Sequence, residues 1–280
     1  MKYRIVPRLS SMLAVWVVLL AWHLSAGALG VAGNLLFLLL IAVPLTMSGA
    51  EAAFYKRHAF RNQYLTRGSW LDRLMGLETL ILAGEIVKAL VLACLLMAAT
   101  MALPAREWAL LMLDVFVLAL LMPRLPGLLH DVVNRTYLFA MSRRVAIWVS
   151  TLLLWLESTL VLLLGNNDGY RSLSWADALS YSTAPTAATD DGSLVSLLLR
   201  ADAGVNGAGA WATYRLQYGE GDLSQTVVAL LVLAAVVALW FLIAWSYSCA
   251  LVGSLARPLA VWRPRPGRND DGGVFESWWT

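Results

Sequence analysis

Residues 74–103 read LMGLETLILAGEIVKALVLACLLMAATMAL, and this stretch decides the class of the molecule. It contains no proline and stays apolar for longer than the roughly 20 residues a helix needs to cross a hydrocarbon core. Yet Glu78, Glu85 and Lys88 stand in its first half. Comparable runs recur near 9–28, 30–50, 107–122, 145–165 and 224–256. Across its 280 residues the chain is 60% hydrophobic and 14% charged, with a mean hydropathy of +0.68. A soluble domain carries about 25% charged residues, and no polar region here is long enough to build a separate soluble core. The expectation is an all-α membrane protein with about six transmembrane helices. Residues 1–256 form that domain, with a structured outer loop over 166–223, and 257–280 form a cytoplasmic tail. The first run, with Lys2, Arg4 and Arg8 ahead of it, has the outline of a signal peptide but is read as the first span.

The connections between runs alternate in charge. Lys2, Arg4 and Arg8 precede the first span, and Lys56, Arg57, Arg61, Arg67 and Arg73 follow the second. Arg124, Arg135, Arg143 and Arg144 follow the fourth, and Arg257, Arg263, Arg265 and Arg268 follow the sixth. The opposite side holds Arg106, Arg171, Arg200 and Arg215. Excess Lys and Arg mark the cytoplasmic side, which predicts cytoplasmic termini and a multi-pass protein of a cell inner membrane. The basic residues then serve orientation and anionic headgroups. Nothing in the pattern suits nucleic acid, so none is expected as a partner. Most of the tryptophans fall near predicted helix ends, where interfacial anchoring is expected.

The connections carry periodicity of their own. In PRLPGLLHDVVNRTYLFAMSRR (123–144) the apolar residues Leu125, Leu128, Leu129, Val132 and Val133 follow helical spacing, which predicts an amphipathic surface helix. EAAFYKRHAFRNQYLTRGSWLDR (51–73) is read likewise. In the outer loop, SLVSLLLRA (193–201) predicts a short helix capped by Asp191 or Ser193, and GVNGAGA (204–210) a flexible hinge. The aromatic end of the tail offers Phe275, Trp278 and Trp279 for docking on a partner or the bilayer surface.

The charges inside the spans are the candidate functional residues: Glu78, Glu85 and Lys88 in the third, Asp114 in the fourth, Glu157 in the fifth. A charge at the bilayer centre is costly and faces the bundle interior or a cavity. Glu85 and Lys88 are spaced i,i+3, where helical side chains meet. One lysine does not neutralise three deep acids, so the set reads either as a proton, ion or substrate path or as buried ion pairs. No metal or cofactor motif is present, and neither Cys94 nor Cys249 sits in a disulfide or zinc spacing. No nucleophile–base arrangement marks an enzyme.

The order of elements resembles the permeases of the exporter branch of ATP-binding-cassette transporters, which have six spans, cytoplasmic termini and cytoplasmic coupling elements after the second span. That resemblance implies a separate ATPase as a partner. The sequence thus supports three expectations. One is a subunit of a multi-chain transport or energy-converting complex. The second is a scaffold subunit whose charges only pair helices, and the third is a permease half. The lipid bilayer and other protein subunits are the expected partners.

Overall fold

The computed structural model describes residues 5–64, 78–101, 103–133, 138–165, 168–170, 173–187, 194–218 and 222–255. Helix α1 spans Ile5–Ser25 and continues through a 3₁₀ turn, Ala26–Ala28. Then come α2 (Val31–Tyr64), α3 (Glu78–Met101), α4 (Ala105–Leu121), the short α5 (Leu125–Leu129) and α6 (Leu138–Leu164). A 3₁₀ turn at Asp168–Tyr170, α7 (Trp175–Ala187), α8 (Leu194–Tyr218) and α9 (Leu223–Gly253) complete the chain. No strand occurs among the described residues. This is an all-α membrane protein. Helices α1, α2, α3, α6 and α9 are long and apolar enough to cross a bilayer, and α4, at 17 residues, supplies a sixth, shorter element.

The end of α1 meets the end of α3, and the start of α6 meets the end of α9. We call the face where α1 begins and α9 ends the near face, and its opposite the far face. Helix α6 packs along α9, α2 along both α3 and α9, and α1 against α4. The shared core includes Met12, Leu19, Leu96, Val115, Leu118 and Leu251, each at most 1% exposed. The outward faces are also apolar, with Leu39 and Val43 of α2, Val87 and Val91 of α3, and Leu153 and Leu156 of α6 exposed. That is the arrangement a hydrocarbon solvent permits and water does not.

The near and far ends differ from the sequence expectations. The second span does not stop near residue 50. Helix α2 runs on to Tyr64, because Glu51-Ala52-Ala53 and the residues beyond are acceptable helix formers with no glycine or proline to end it. Within the amphipathic stretch expected over 123–144, the described residues form a short helix at Leu125–Leu129, and 138–144 already belong to α6. Pro126 stands in the first turn of the short helix, where its missing N–H costs nothing. In the outer loop the expected hinge is helical, with α8 passing unbroken through Gly204, Gly207 and Gly209. A Cβ on Gly207 would lie 2.3 Å from Ser182 of α7, so this glycine serves close packing. Asp191, Ser193, Phe275, Trp278 and Trp279 lie outside the described residues.

Several tryptophans are structural. Trp22 is fully buried and its indole N–H donates to the Met97 carbonyl at 3.1 Å. One residue on, His23 Nδ1 donates to the Thr100 carbonyl at 2.9 Å, since a carbonyl only accepts. These bonds tie the far end of α1 to α3. On the far face Trp211 Nε1 and Arg215 Nη2 both donate to the Leu173 carbonyl, at 3.1 and 2.9 Å, and hold α8 to the segment entering α7.

Candidate functional site: polar rungs along helix α6

Helix α6 carries Arg143, Ser150 and Glu157 at seven-residue intervals. Seven residues are nearly two turns, so the three side chains share one face and stand about 10 Å apart along the axis. Each meets a polar group from another helix, and each does so in its own layer.

The near-face rung joins Arg143 to Glu51 of α2 by a short charged hydrogen bond from Nη1. Nη2 of the same guanidinium donates to the Leu255 carbonyl just beyond α9, at 3.4 Å. One side chain therefore ties α6 to α2 and to the end of α9. At nearly the same height, Glu85 and Lys88 of α3 pair at 3.4 Å. The Glu85 carboxylate lies over Gly49 of α2, where a Cβ would meet Oε2 at 2.0 Å. The Lys88 ammonium sits 5.6 Å from the Trp245 ring of α9, within range of a cation–π attraction.

The middle rung is the buried one. Ser150 Oγ lies 2.7 Å from Asp114 Oδ2 of α4 and 2.7 Å from Ser248 Oγ of α9. Thr151 Oγ1 donates to Ser248 Oγ at 3.2 Å. Beside them the Tyr247 hydroxyl donates to the Leu111 carbonyl at 2.8 Å, closing α9 on α4.

The far-face rung joins Glu157 to Arg106 at the start of α4, at 3.9 Å. Arg106 is 62% exposed and Glu157 32%, so this pair is solvated. Glu107 follows Arg106, and Asp202 of α8 lies close enough to feel its charge. Burial first, and the Glu107 carboxylate second, push the Asp202 carboxyl up to about 6. Asn206, one turn along α8, donates its side-chain amide to Asp202 Oδ2 at 3.1 Å.

The five residues singled out in the sequence therefore do not meet. Glu85 and Lys88 belong to the near layer, Asp114 to the middle and Glu157 to the far layer. The Glu78 side chain lies outside the described residues, although its backbone opens α3. On the near-face side of the middle layer, Ala146 of α6 and Val115 and Leu118 of α4 are fully buried. Sequence reasoning passed over Glu51, Ser150, Ser248 and Arg143 as site residues. The signal for them was the heptad spacing of polar residues on an otherwise apolar α6. Among the described residues no three His, Cys, Asp or Glu side chains converge as metal ligands would. A concavity of about 500 Å³ lies between α7 and α8 and opens widely to the surroundings.

No family model, curated protein or solved structure matches this chain.

Proposed function

We propose that the chain is a multi-pass scaffold subunit of a membrane assembly, whose charges in and near the spans pin helices together. The observation that supports this reading is the layered pairing: Arg143 with Glu51 and Glu157 with Arg106 join different helices, while Glu85 and Lys88 pair within α3 and Lys88 reaches Trp245 of α9. Each of these three acids has its base in its own layer, and on α6 the fully buried Ala146 stands between the near and middle layers. A path for ions needs polar groups within reach of one another along the membrane normal, and the described residues are about 10 Å apart between rungs. The excess of basic residues on the near-face connections supports an orientation with both termini on the cytoplasmic side.

The test is to remove one pair entirely. Replacing Glu85→Gln together with Lys88→Met strands neither charge. The double variant is expected to reach the membrane at about the wild-type level and to co-purify with the same chains in mild detergent. Normal assembly combined with loss of proton or solute flux in liposomes overturns the scaffold reading in favour of a transport path.

A further inference from the structure

The middle rung differs from the other two. Arg143 and Glu157 each face an opposite charge, whereas Asp114, 5% exposed, faces hydroxyls. Among the described residues no Lys, Arg or His side chain bonds to it. On α6 its neighbours are Ser150 and Thr151, and on α9 they are Ser248 and Tyr247. From α1 the titratable group on this side of α4 is His23, whose ring lies 5.3 Å from that of Trp108. Trp108 precedes Asp114 by six residues, about 9 Å along the helix. A bare carboxylate so placed has no compensating charge, and burying an uncompensated charge is costly.

The hydroxyl inventory shows what completes the group. Each Ser or Thr hydroxyl has one hydrogen to give and can accept two. Ser248 Oγ lies 2.9 Å from the Ala244 carbonyl, which can only accept. If Asp114 supplies a hydrogen, the bonds run in one direction: Asp114 to Ser150, Ser150 to Ser248, Ser248 to the Ala244 carbonyl. Thr151 then donates into Ser248 as well, and every oxygen in the run is matched. If Asp114 is a bare carboxylate, Ser150 must turn toward it. Ser248 then cannot serve both Ser150 and Ala244 with its single hydrogen.

The spacing also selects the ligand. Hard cations such as calcium hold oxygens at about 2.3–2.6 Å from the metal, around an open centre. Here Ser150 Oγ stands 2.7 Å from both Asp114 Oδ2 and Ser248 Oγ, which is hydrogen-bond distance, so each of these two contacts is closed by a hydrogen rather than by an ion seated between its oxygens. We infer that Asp114 is an exchangeable proton-binding site at the centre of the bundle, its carboxyl hydrogen donating into the Ser150–Ser248 run. Proton release reverses the donor direction across α4, α6 and α9, so the packing of these three helices responds to it. This inference is independent of the scaffold reading, because the proposal concerns the closure of one rung and not passage between rungs.

The experiment is thermal unfolding of the purified full chain in detergent, at constant ionic strength, over a range of pH. Wild type and Asp114→Asn are compared in sodium and in choline salts. The wild-type midpoint temperature is expected to fall by about 5 °C more than that of Asp114→Asn as pH rises, with sodium and choline equivalent. Parallel curves for the two proteins overturn the inference. So does a sodium-dependent stabilisation that Asp114→Asn lacks. Where Asp114→Asn does not fold, Ser248→Ala keeps the carboxyl and removes the hydroxyl that relays to Ala244. It is expected to move the wild-type pH midpoint by about one pH unit toward acid, and an unmoved midpoint overturns the proposal.

Discussion

Along α6 the helices meet through side chains. Arg143, Ser150 and Glu157 reach out to α2, α9 and α4, and the contacts are polar and directional. Where α2 crosses α9 they meet through backbone. Gly253 of α9 sits so close to α2 that a Cβ there would stand 1.9 Å from the Pro44 carbonyl oxygen and 3.1 Å from the Ser48 Cβ. The first kind of contact has side chains that can move and solvent or lipid that can compensate. The second has none. In a bilayer, where apolar burial between helices gives little drive, close backbone approach and interhelical hydrogen bonds are the two available means of association. This protein uses each at a different seam, and they should fail differently.

The sharpest way to break that contrast is Gly253→Ala. A methyl group cannot share space with a backbone carbonyl, so α2 and α9 must separate. The expected cost is about 3 kcal/mol or more, at the upper end of overpacking changes, read as a drop in thermal midpoint and in yield from the membrane. Gly84→Ala on α3 is the control. A Cβ there meets nothing within 4 Å, and alanine is the better helix former, so stability should hold. If both variants behave alike, the crossing is not as close as described.

The polar seam should break more gently and be repairable. Arg143→Met leaves the Glu51 carboxylate without its base in a site where the two side chains are only 17% and 20% exposed. A loss of about 2–3 kcal/mol is expected, between the surface and buried limits for ion pairs. Adding Glu51→Gln removes the stranded charge and should recover most of it. A double-variant cycle in which the two losses simply add would mean that the pair is not coupled.

The contrast also marks what the sequence makes legible. The spans can be read from hydropathy, because their lengths answer to bilayer thickness. The continuation of α2 past Glu51 is hidden from the same reading. Hydropathy reports the surroundings a segment prefers, while helix continuation depends on backbone propensity, and nothing between Glu51 and Tyr64 interrupts it. Gly207 and Gly253 carry the same ambiguity. A glycine written in sequence can be a hinge or a contact, and only the neighbouring helix decides. Of the polar pairs, Glu85 with Lys88 is legible because i,i+3 spacing lies within one helix. Glu51 with Arg143 and Asp114 with Ser150 join different helices, so no local spacing reveals them. The heptad along α6 says that a polar face exists but not what it meets.

The gentlest effect belongs to the far face, where Asp202 feels the like charge of Glu107. Asp202 of α8 is pushed up to about 6 by burial and by the Glu107 charge, against an unfolded value near 4. The folded chain therefore keeps its proton to higher pH than the unfolded chain does. As pH rises from about 4 to about 6 the unfolded state releases its proton first. Stability contributed at this site should then fall across that window and stay level above it. Asp202 is partly accessible to solvent, which screens the effect to about 1 kcal/mol. Asp202→Asn removes the titration and keeps an acceptor for the Asn206 amide. Its thermal midpoint should exceed that of wild type by a few degrees at pH 7 and converge with it near pH 4. A constant offset at all pH values would assign the change to packing between α7, α8 and the bundle, and would leave the far face without an acid–acid interaction that matters to the fold.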